Sequence, residues 1–518
     1  MTDWGWIIDL AERMAAFTPG RRAIIDADSG ESFTCRELNA RANKLANYLS
    51  AGLGLRKGDR VAVLSRNCIE YFDFFFATQK LGLVLVSLNF RLADDEMEHL
   101  LRLTGACALA YEDFFEERAL HILAGTGIDR TIGWGRLTAG PAARYQTVLE
   151  GGSDSPPRRG RLEMEDPHLI LFTGGTTGLP KGAVISHRAV YWNMVSEALS
   201  WNLGPGDTVF HVLPLFHTGG WNIVSLPVLF SGGTLIISRK FDPEVTLKII
   251  DQHRCSLFFA AATMFMLMSQ SGYFRQADLK SLKFMMSGAA PCPRSVMEPY
   301  WERNIPFMQG YGITEGGPNN LFMPFQRLGL DQLQDKWNSV GIPFLYCNAR
   351  VIDEGGGEAP PGQMGELLLS GPVIFSGYWD NPKATAGTLR DGWVHTGDIA
   401  LRDEEGFYYI VDRKKDMFIS GGENVFPVEV EKVLAAHPRV AEVAVIGVPD
   451  PTWGEVGKAF VVSRPGARPD PAEIISFAAE RLGRYKVPRY VEMVEALPKS
   501  AVGKVLKKDL RQLSQGIQ

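Results

Sequence analysis

The segment at residues 173 to 187, TGGTTGLPKGAVISH, follows directly on the apolar run Leu169 to Phe172. The run predicts a buried strand, and the glycines and threonines after it predict a loop. Main-chain amides and hydroxyls of such a loop can point at phosphate oxygens, because glycine lets the backbone approach closely and lysine supplies a further donor. The predicted phosphate-binding residues are Thr173, Gly174, Gly175, Thr176, Thr177, Gly178 and Lys181.

The spacing of this loop differs from two common nucleotide-binding motifs. It has neither the G-x-x-x-x-G-K-[ST] order of a Walker A loop nor the G-x-G-x-x-G order of a dinucleotide fingerprint. A surface turn without a ligand is the alternative, and dense donors directly after a buried strand disfavour it.

The sequence on both sides of the loop alternates helical and strand-like patterns. Cys35 to Leu49 and Tyr71 to Leu81 have helical spacing, and Arg60 to Leu64 is strand-like. Further strands are predicted at Thr208 to Leu213, Thr234 to Ile237 and Ser256 to Ala260. This alternation favours an α/β fold with parallel sheets covered by helices.

The pattern changes towards the C-terminus. From Asn348, short strands with turn signals predict a hairpin and a small antiparallel or barrel-like subdomain that extends to Val411. After the charged run Asp412 to Asp416, about a hundred residues have the size and pattern of a separate α/β domain. Its predicted elements are the helices Pro427 to Ala436 and Pro471 to Leu482 and the strands Val440 to Val448 and Lys458 to Ser463.

The composition excludes several classes of protein. The 518 residues are 45% hydrophobic and 22% charged, as in ordinary globular proteins. With 54 positive and 59 negative side chains, the net charge of -5 gives no electrostatic reason to expect a nucleic-acid partner. Six cysteines lie far apart without a C-x-x-C pair, so a disulfide framework or structural zinc is disfavoured.

The N-terminus and the apolar runs bear on location. The first residues, MTDWGWIIDLAERM, lack the basic region of a secretory signal, so a cytoplasmic protein is expected. The longest apolar stretch, Leu257 to Met268, is too short to span a bilayer and predicts a strand running into a helix. No membrane span is expected, and monomer and homo-oligomer both stay open.

Five further segments occur in the order of one known family. They are SGAAP at Ser287, QGYGITE at Gln309, HTGD at His395, DRKKDMFISGGENVFPVEVE at Asp412 and PKSAVGK at Pro498. Together with the phosphate loop they closely resemble the adenylate-forming superfamily, which includes acyl- and aryl-CoA synthetases, and they cover the chain from about residue 30 to near 510. One departure is Gly174, where the family usually has serine, so that one hydroxyl is lost from the loop.

The resemblance implies an ATP site with Mg²⁺. Tyr311 offers a flat face for adenine, beside the adenine segment Gly288, Ala289 and Ala290. Thr314 offers a hydroxyl for the α-phosphate, and Glu315 a hard carboxylate for magnesium. The two ribose hydroxyls would bind Asp398, with Arg413 as a second ribose contact.

The resemblance also assigns residues of the second domain. Lys504 is the predicted catalytic lysine, whose mobile positive charge would bridge both reactants. Lys415 is the predicted hinge, and Gly421 and Gly422 belong to the predicted tunnel for the thiol of coenzyme A. Taken alone, Lys504 would read as a solubilising charge, and the two glycines as a turn.

The segment LPLFHTGGW, Leu213 to Trp221, places an imidazole and glycines in an apolar run. A lone histidine in such a run is more often a hydrogen-bonded core residue than a catalyst. By resemblance, His217 borders the acyl pocket and is a candidate catalytic residue. The predicted pocket neighbours are Gly219, Trp221, Ile223 and Gly310. Amino-acid adenylation domains place an aspartate close to Phe216, and none is present here, so an α-amino acid is disfavoured.

The sequence therefore predicts an ATP-dependent acid:CoA ligase of fatty or aromatic carboxylates, which forms an acyl-adenylate and releases pyrophosphate and AMP. The resemblance implies a large N-terminal domain at 1–412, with two helix-covered sheets and a small β-barrel subdomain. It implies a small mobile α/β domain at 413–518, with the active site between the two domains. The alternatives are a stand-alone enzyme that loads a carrier-protein thiol and a non-catalytic nucleotide-binding regulator.

Overall fold

The computed structural model describes residues 9–138, 143–173, 180–499 and 505–515. By its internal contacts the chain forms two compact units, one of residues 1–349 with 369–394 and the other of 350–368 with 395–518. The α/β class predicted from the sequence is confirmed.

The first sheet contains the strand that leads into the phosphate loop. In the described part of the chain it has eight strands, in the order Gly377–Tyr378, Lys181–Ser186, Pro167–Thr173, Val84–Ser87, Arg60–Leu64, Ala108–Glu112, Thr131–Trp134 and Ala143–Arg144. The strands from Pro167–Thr173 to Ala143–Arg144 are parallel to their neighbours, whereas Lys181–Ser186 is antiparallel to the strands on both sides.

The second sheet has nine strands within the described residues. Their order is Ile342–Pro343, Leu321–Phe322, Phe307–Tyr311, Phe284–Ser287, Leu257–Ala260, Thr208–His211, Thr234–Ile237, Arg22–Asp26 and Ser32–Thr34. The apolar stretch from Leu257 runs from a strand into the helix Ala262–Gln270, as predicted.

The helix Ile69–Leu81 is buried on every side. All of its side chains except Glu70 are buried, which a helix reaches only when packed on all faces. Asp73 lies inside it, fully buried, and accepts hydrogen bonds from Arg41 Nε at 2.9 Å and from the Tyr145 hydroxyl at 2.5 Å. Burial raises the pKa of Asp73, and the Arg41 charge opposes that shift.

The other helices of the first unit are Leu10–Phe17, Cys35–Asn47, Asp94–Thr104, Glu116–Thr126, Tyr145–Gly151, His187–Ser200, Ser225–Phe230, Pro243–Gln252, Arg294–Trp301, Leu330–Asp335 and Pro382–Thr388. Cys35–Asn47 begins at a capping box, in which Thr34 and Glu37 satisfy each other's main-chain donors. It is shorter than predicted, because the chain continues from Tyr48 to Gly52 as a π-helical turn.

A small sheet follows in sequence. Its order is Asn348–Ile352, Gly365–Ser370, Trp393–Arg402 and Leu389–Arg390, and Tyr408–Arg413 also pairs with Trp393–Arg402. The first two strands are neighbours, so the predicted hairpin after Asn348 is confirmed.

The C-terminal sheet has the order Glu423–Val425, Phe418–Ser420, Gly454–Ser463 and Val440–Asp450, with Tyr490–Met493 parallel to Gly454–Ser463. Its helices are Pro427–Ala435, Pro471–Ala479 and Lys507–Gln515. The core contains Val430, Leu434, Val445, Val461 and Ile474, all fully buried. Across the described ranges, no helix combines the length and apolar character needed to cross a membrane.

Candidate active site

The phosphate loop joins two antiparallel strands. Thr173 and Lys181 are direct partners in the register of Pro167–Thr173 and Lys181–Ser186, so they stand at the two ends of the loop. The predicted residues Gly174, Gly175, Thr176, Thr177 and Gly178 lie outside the described residues.

Side chains from two other segments of the first unit contact Glu315. It lies on the short 3₁₀ turn Thr314–Gly316, and its Oε1 atom accepts hydrogen bonds from the Tyr378 hydroxyl at 2.6 Å and from Thr173 Oγ1 at 3.4 Å. Lys181 Nζ lies 5.1 Å from the centre of the Tyr378 ring. Residues from three distant segments are thus brought together around one carboxylate.

Tyr378 was not identified from the sequence. Burial raises the pKa of its hydroxyl, and the adjacent Glu315 carboxylate raises it further, so the hydroxyl stays protonated and donates. Both bonds reach Oε1 of Glu315, and this leaves Oε2 outside this pair of contacts. The described ranges contain no group of three or more His, Cys, Asp and Glu that could hold a metal ion.

The predicted adenine segments lie next to each other. Ser287 and Gln309 are partners on parallel neighbouring strands of the second sheet, and Gly288 and Tyr311 follow at the carboxyl ends of those strands. Ligands of open α/β sheets bind at this edge. Ala289 has a φ of 69°, in the left-handed region. Ala290 follows it and is half-buried, as is the side chain of Tyr311.

The two predicted ribose residues contact each other in the second unit. Asp398 and Arg413 are partners on antiparallel strands, and Arg413 Nε lies 3.1 Å from Asp398 Oδ1. Asp398 is 4% exposed, and its main-chain amide donates to Thr396 Oγ1. The pair is a carboxylate held in place by a guanidinium, which suits a carboxylate that must accept from hydroxyls.

The predicted hinge and thiol-tunnel residues follow. Lys415 is exposed and stands between Lys414, which pairs with Glu366 at 2.9 Å, and Asp416, which pairs with Arg511 at 2.9 Å. Gly421 and Gly422 have φ values of 61° and 87°, which favour glycine. A side chain on Gly421 would clash with the Trp453 ring, whereas Gly422 has no atom within 4 Å of the place of a Cβ.

Lys504 lies outside the described residues, so its prediction has no structural account. Lys499 and Val505, the described residues on either side of 500–504, form an antiparallel bridge.

Three predicted acyl-pocket residues, Gly219, Trp221 and Ile223, lie in the π-helical turn Gly219–Ile223, and His217 lies just before it. Burial lowers the pKa of His217 to about 4, with a contribution from the Arg91 charge, so the imidazole is neutral near pH 7. Its ring lies 4.6 Å from the Phe216 ring, and its Nε2 has no hydrogen-bond partner among the described residues.

The other predicted pocket residues differ in their surroundings. Trp221 is fully buried, with its ring 5.3, 5.1 and 4.9 Å from the rings of Tyr71, Phe72 and Phe75 on the helix Ile69–Leu81. A side chain on Gly219 would press on Ile223, and one on Gly310 would meet the Met286 sulfur at 2.8 Å, so both glycines keep space that a side chain would fill.

Comparison with known proteins agrees with this arrangement. A family model described as AMP-binding enzyme matches residues 11–379, and one described as AMP-binding enzyme C-terminal domain matches 429–504. A feruloyl-CoA synthase of Amycolatopsis sp. is 40% identical over 96% of this chain and 97% of its own. An indoleacetate–CoA ligase of Aromatoleum aromaticum is 34% identical, covering 97% of both chains.

A solved structure has the same fold over nearly the whole chain. The ATP-bound MatB of Rhodopseudomonas palustris has a TM-score of 0.89 and 30% identity, covering 99% of this chain and 100% of its own. The family models, the relatives and this structure together show that the chain belongs to the AMP-binding enzyme family, as an AMP-forming acid–thiol ligase.

Proposed function

We propose that the protein is an ATP-dependent acid:CoA ligase whose acid is an aromatic carboxylate. The observation that carries the reaction is the contact of Thr173 and Tyr378 with Glu315, together with Lys181 beside the Tyr378 ring, at the ends of the phosphate loop. The aromatic class is supported by the relatives at 40% and 34% identity, which are named for ferulate and indoleacetate. Long-chain fatty acids are the second class, since ligases of that name are 33% identical.

The first step forms the acyl-adenylate. A carboxylate oxygen of the acid bonds to the α-phosphorus of ATP, the bond from that phosphorus to the bridging oxygen breaks, and pyrophosphate leaves. Lys181, Thr173 and the loop amides would stabilise the charge on the phosphates, with Lys504 beside the reacting oxygens. Glu315 fits a hard-cation site, where Mg²⁺ when bound neutralises phosphate charge.

In the second step the thiol of coenzyme A replaces AMP. A carbon–sulfur bond forms at the acyl carbon, the carbon–oxygen bond to AMP breaks, and the thiol loses its proton. His217 is neutral near pH 7, so it can accept a hydrogen bond or a proton at an unprotonated ring nitrogen. The glycines at 421 and 422 would let the pantetheine arm pass close to the backbone.

A panel of carboxylates tests this function. Pyrophosphate, AMP and acyl-CoA are measured with aromatic acids, fatty acids and α-amino acids, each with and without coenzyme A. We expect aromatic acids to give AMP and acyl-CoA in equal amounts only when coenzyme A is present. Equal turnover of an α-amino acid, or release of ADP in place of AMP, contradicts the proposal. Adenylate formation with no acyl-CoA would point to the carrier-protein alternative.

A further inference from the structure

A group of buried amide and carboxyl side chains lies in the first unit beside the predicted acyl segment. It consists of Asn193, Glu197, Asn222 and Asn319, which are 1, 0, 0 and 7% exposed, and we call it the buried polar cluster. Asn193 and Glu197 share one face of the helix His187–Ser200, one turn apart. Polar side chains so deeply buried are uncommon and need a reason.

Hydrogen bonds connect the cluster to both predicted halves of the active site. Asn222 lies on the turn after His217 and donates from Nδ2 to Thr218 Oγ1 at 3.1 Å. Asn193 Nδ2 donates to the Asn222 carbonyl at 2.7 Å. On the other side, Asn319 Nδ2 donates to Glu197 Oε1 from the segment that follows Glu315. The cluster therefore spans from the acyl segment to the segment that carries the metal candidate.

Three oxygens of the cluster lack partners. Asn193 Oδ1, Glu197 Oε2 and Asn222 Oδ1 are buried and accept no hydrogen bond from any described residue. A polar atom buried without a partner is costly, so three in one connected group indicate that a bound molecule completes their bonding.

The protonation of Glu197 narrows the chemistry of that molecule. Burial raises the pKa of Glu197 well above its usual value, and the nearby Asn193 side chain opposes the shift. Burial in a site where Glu197 is 0% exposed thus favours the protonated carboxyl, and because Oε1 accepts from Asn319, its proton belongs on Oε2. The cluster thus offers one O–H donor together with two amide oxygens that accept.

We propose that the buried polar cluster recognises a hydroxyl group of the acyl substrate, and that Glu197 determines the enzyme's preference for a hydroxylated aromatic acid. This rests on the proposed function. A hydroxyl both accepts and donates, so it can accept from Glu197 Oε2 and donate to an amide oxygen. A methyl group would leave the cluster unsatisfied. An ammonium group could not accept the Glu197 proton.

The experiment compares acids that differ at one ring position. The value of kcat/KM is measured for 4-hydroxycinnamate, cinnamate and 4-(aminomethyl)cinnamate with the unaltered enzyme. We expect 4-hydroxycinnamate to exceed cinnamate by about tenfold or more, because a site built to bond a hydroxyl leaves its own groups unpaired when the hydroxyl is missing. Absence of that preference, or preference for the aminomethyl acid, overturns the proposal.

Variants then test Glu197 itself. Glu197→Leu should reduce the ratio of the two kcat/KM values to near one. Glu197→Gln should keep most of it, because its Nε2 can still donate while its oxygen accepts from Asn319. Glu298→Gln, at an exposed glutamate that pairs with Arg294 one turn earlier in its helix, is the matched control. Should the leucine variant not fold, Glu197→Asp replaces it, since the shorter side chain withdraws the carboxyl from the hydroxyl and should lower the ratio.

The outcomes are distinguishable. An unchanged ratio in Glu197→Leu or Glu197→Asp, with both acids losing activity together, means that Glu197 is structural and overturns the proposal. If no carboxylate of any class releases pyrophosphate from the unaltered enzyme, the proposed function has failed. If cinnamate and 4-hydroxycinnamate are used equally well, only the inference about the cluster has failed.

Discussion

At the scale of single residues, Tyr378 is the side chain that holds Glu315. Its hydroxyl donates to Glu315 Oε1 at 2.6 Å while its ring lies near Lys181 Nζ. Tyr378 is 63 residues from Glu315 in sequence, in the unremarkable segment SGYWD, and no chemical pattern marks it. A tyrosine becomes a functional candidate only when folding places it against a carboxylate, so the sequence could not reveal this role.

Tyr378→Phe should therefore weaken the use of ATP with magnesium. A hydrogen bond to a charged group is worth about 1.5 to 3 kcal/mol, which corresponds to a roughly ten- to hundredfold lower kcat/KM for ATP. Initial rates are measured against Mg²⁺ at fixed ATP, and we expect the half-saturating Mg²⁺ concentration to rise. The control is Tyr490→Phe, at a tyrosine that is 48% exposed. An unchanged Mg²⁺ dependence would show that the Tyr378 bond does not position Glu315.

Asp398 is the second residue with a testable role. Asp398→Ala removes the acceptors proposed for the ribose hydroxyls and leaves Arg413 without its partner at 3.1 Å. We expect nucleotide use to weaken by about ten- to hundredfold, from the same energy of a charged hydrogen bond. Asp398→Asn keeps one acceptor oxygen and should lie between the alanine variant and the original. The affinity for ATP is measured by calorimetry in all three proteins. Equal affinities would disprove the assignment of Asp398 to the ribose.

At the scale of elements, two buried histidines join a strand to a helix. His168 on the strand Pro167–Thr173 stacks on His187, the first residue of the helix His187–Ser200, with ring centres 4.5 Å apart and planes 6° apart. Burial lowers the pKa of His168 well below its usual value, and the adjacent His187 lowers it further. Burial also lowers the pKa of His187, to about 3, with a contribution from the Lys57 charge. Both are neutral in the folded protein at pH 7.

This pair predicts loss of stability in acid. Below the ordinary histidine pKa of about 6.5 the unfolded chain binds protons that the folded pair refuses, so the free energy of unfolding falls as pH decreases from about 6.5 towards 3. Each histidine contributes a slope of up to about 1.4 kcal/mol per pH unit. Urea unfolding gives the free energy of unfolding at each pH between 7.5 and 5. We expect this free energy to fall less steeply with decreasing pH in His187→Phe. The control is His253→Phe, at an exposed histidine, and equal slopes in all three proteins would refute the prediction.

The elements also show what a sequence pattern can and cannot predict. The strand Arg60–Leu64 has the predicted bounds, because a short apolar run between turn signals marks both ends. Trp221 was expected near the acyl group as a bulky side chain, but its ring contacts depend on the helix Ile69–Leu81, about 140 residues earlier. Local spacing predicts elements, whereas contacts between distant segments depend on how those elements pack.

At the scale of the whole molecule, two chemical steps must share one chain. The predictions assign Lys504 to adenylate formation and the glycines at 421 and 422 to the attack of the thiol. Lys504→Ala should block pyrophosphate release yet largely spare formation of thioester from synthetic acyl-adenylate, since the α-phosphate is no longer attacked in that step. Each half-reaction is measured separately, with Lys508→Ala as control. Loss of both half-reactions to the same degree would contradict the assignment of Lys504.

The complementary change concerns Gly422. Its φ of 87° strains any other residue there, by about 1 to 3 kcal/mol, so a loss of activity alone would not separate a tunnel from a turn. Gly466 provides the matched control, because it lies in the same unit with a φ of 78° and also has no atom within 4 Å of a Cβ. Gly422→Leu and Gly466→Leu should therefore lose similar stability, measured by thermal unfolding. We expect only Gly422→Leu to slow thioester formation from synthetic acyl-adenylate, while its pyrophosphate release stays near that of Gly466→Leu. Equal effects of the two leucines on both half-reactions would mean that Gly422 serves the turn alone.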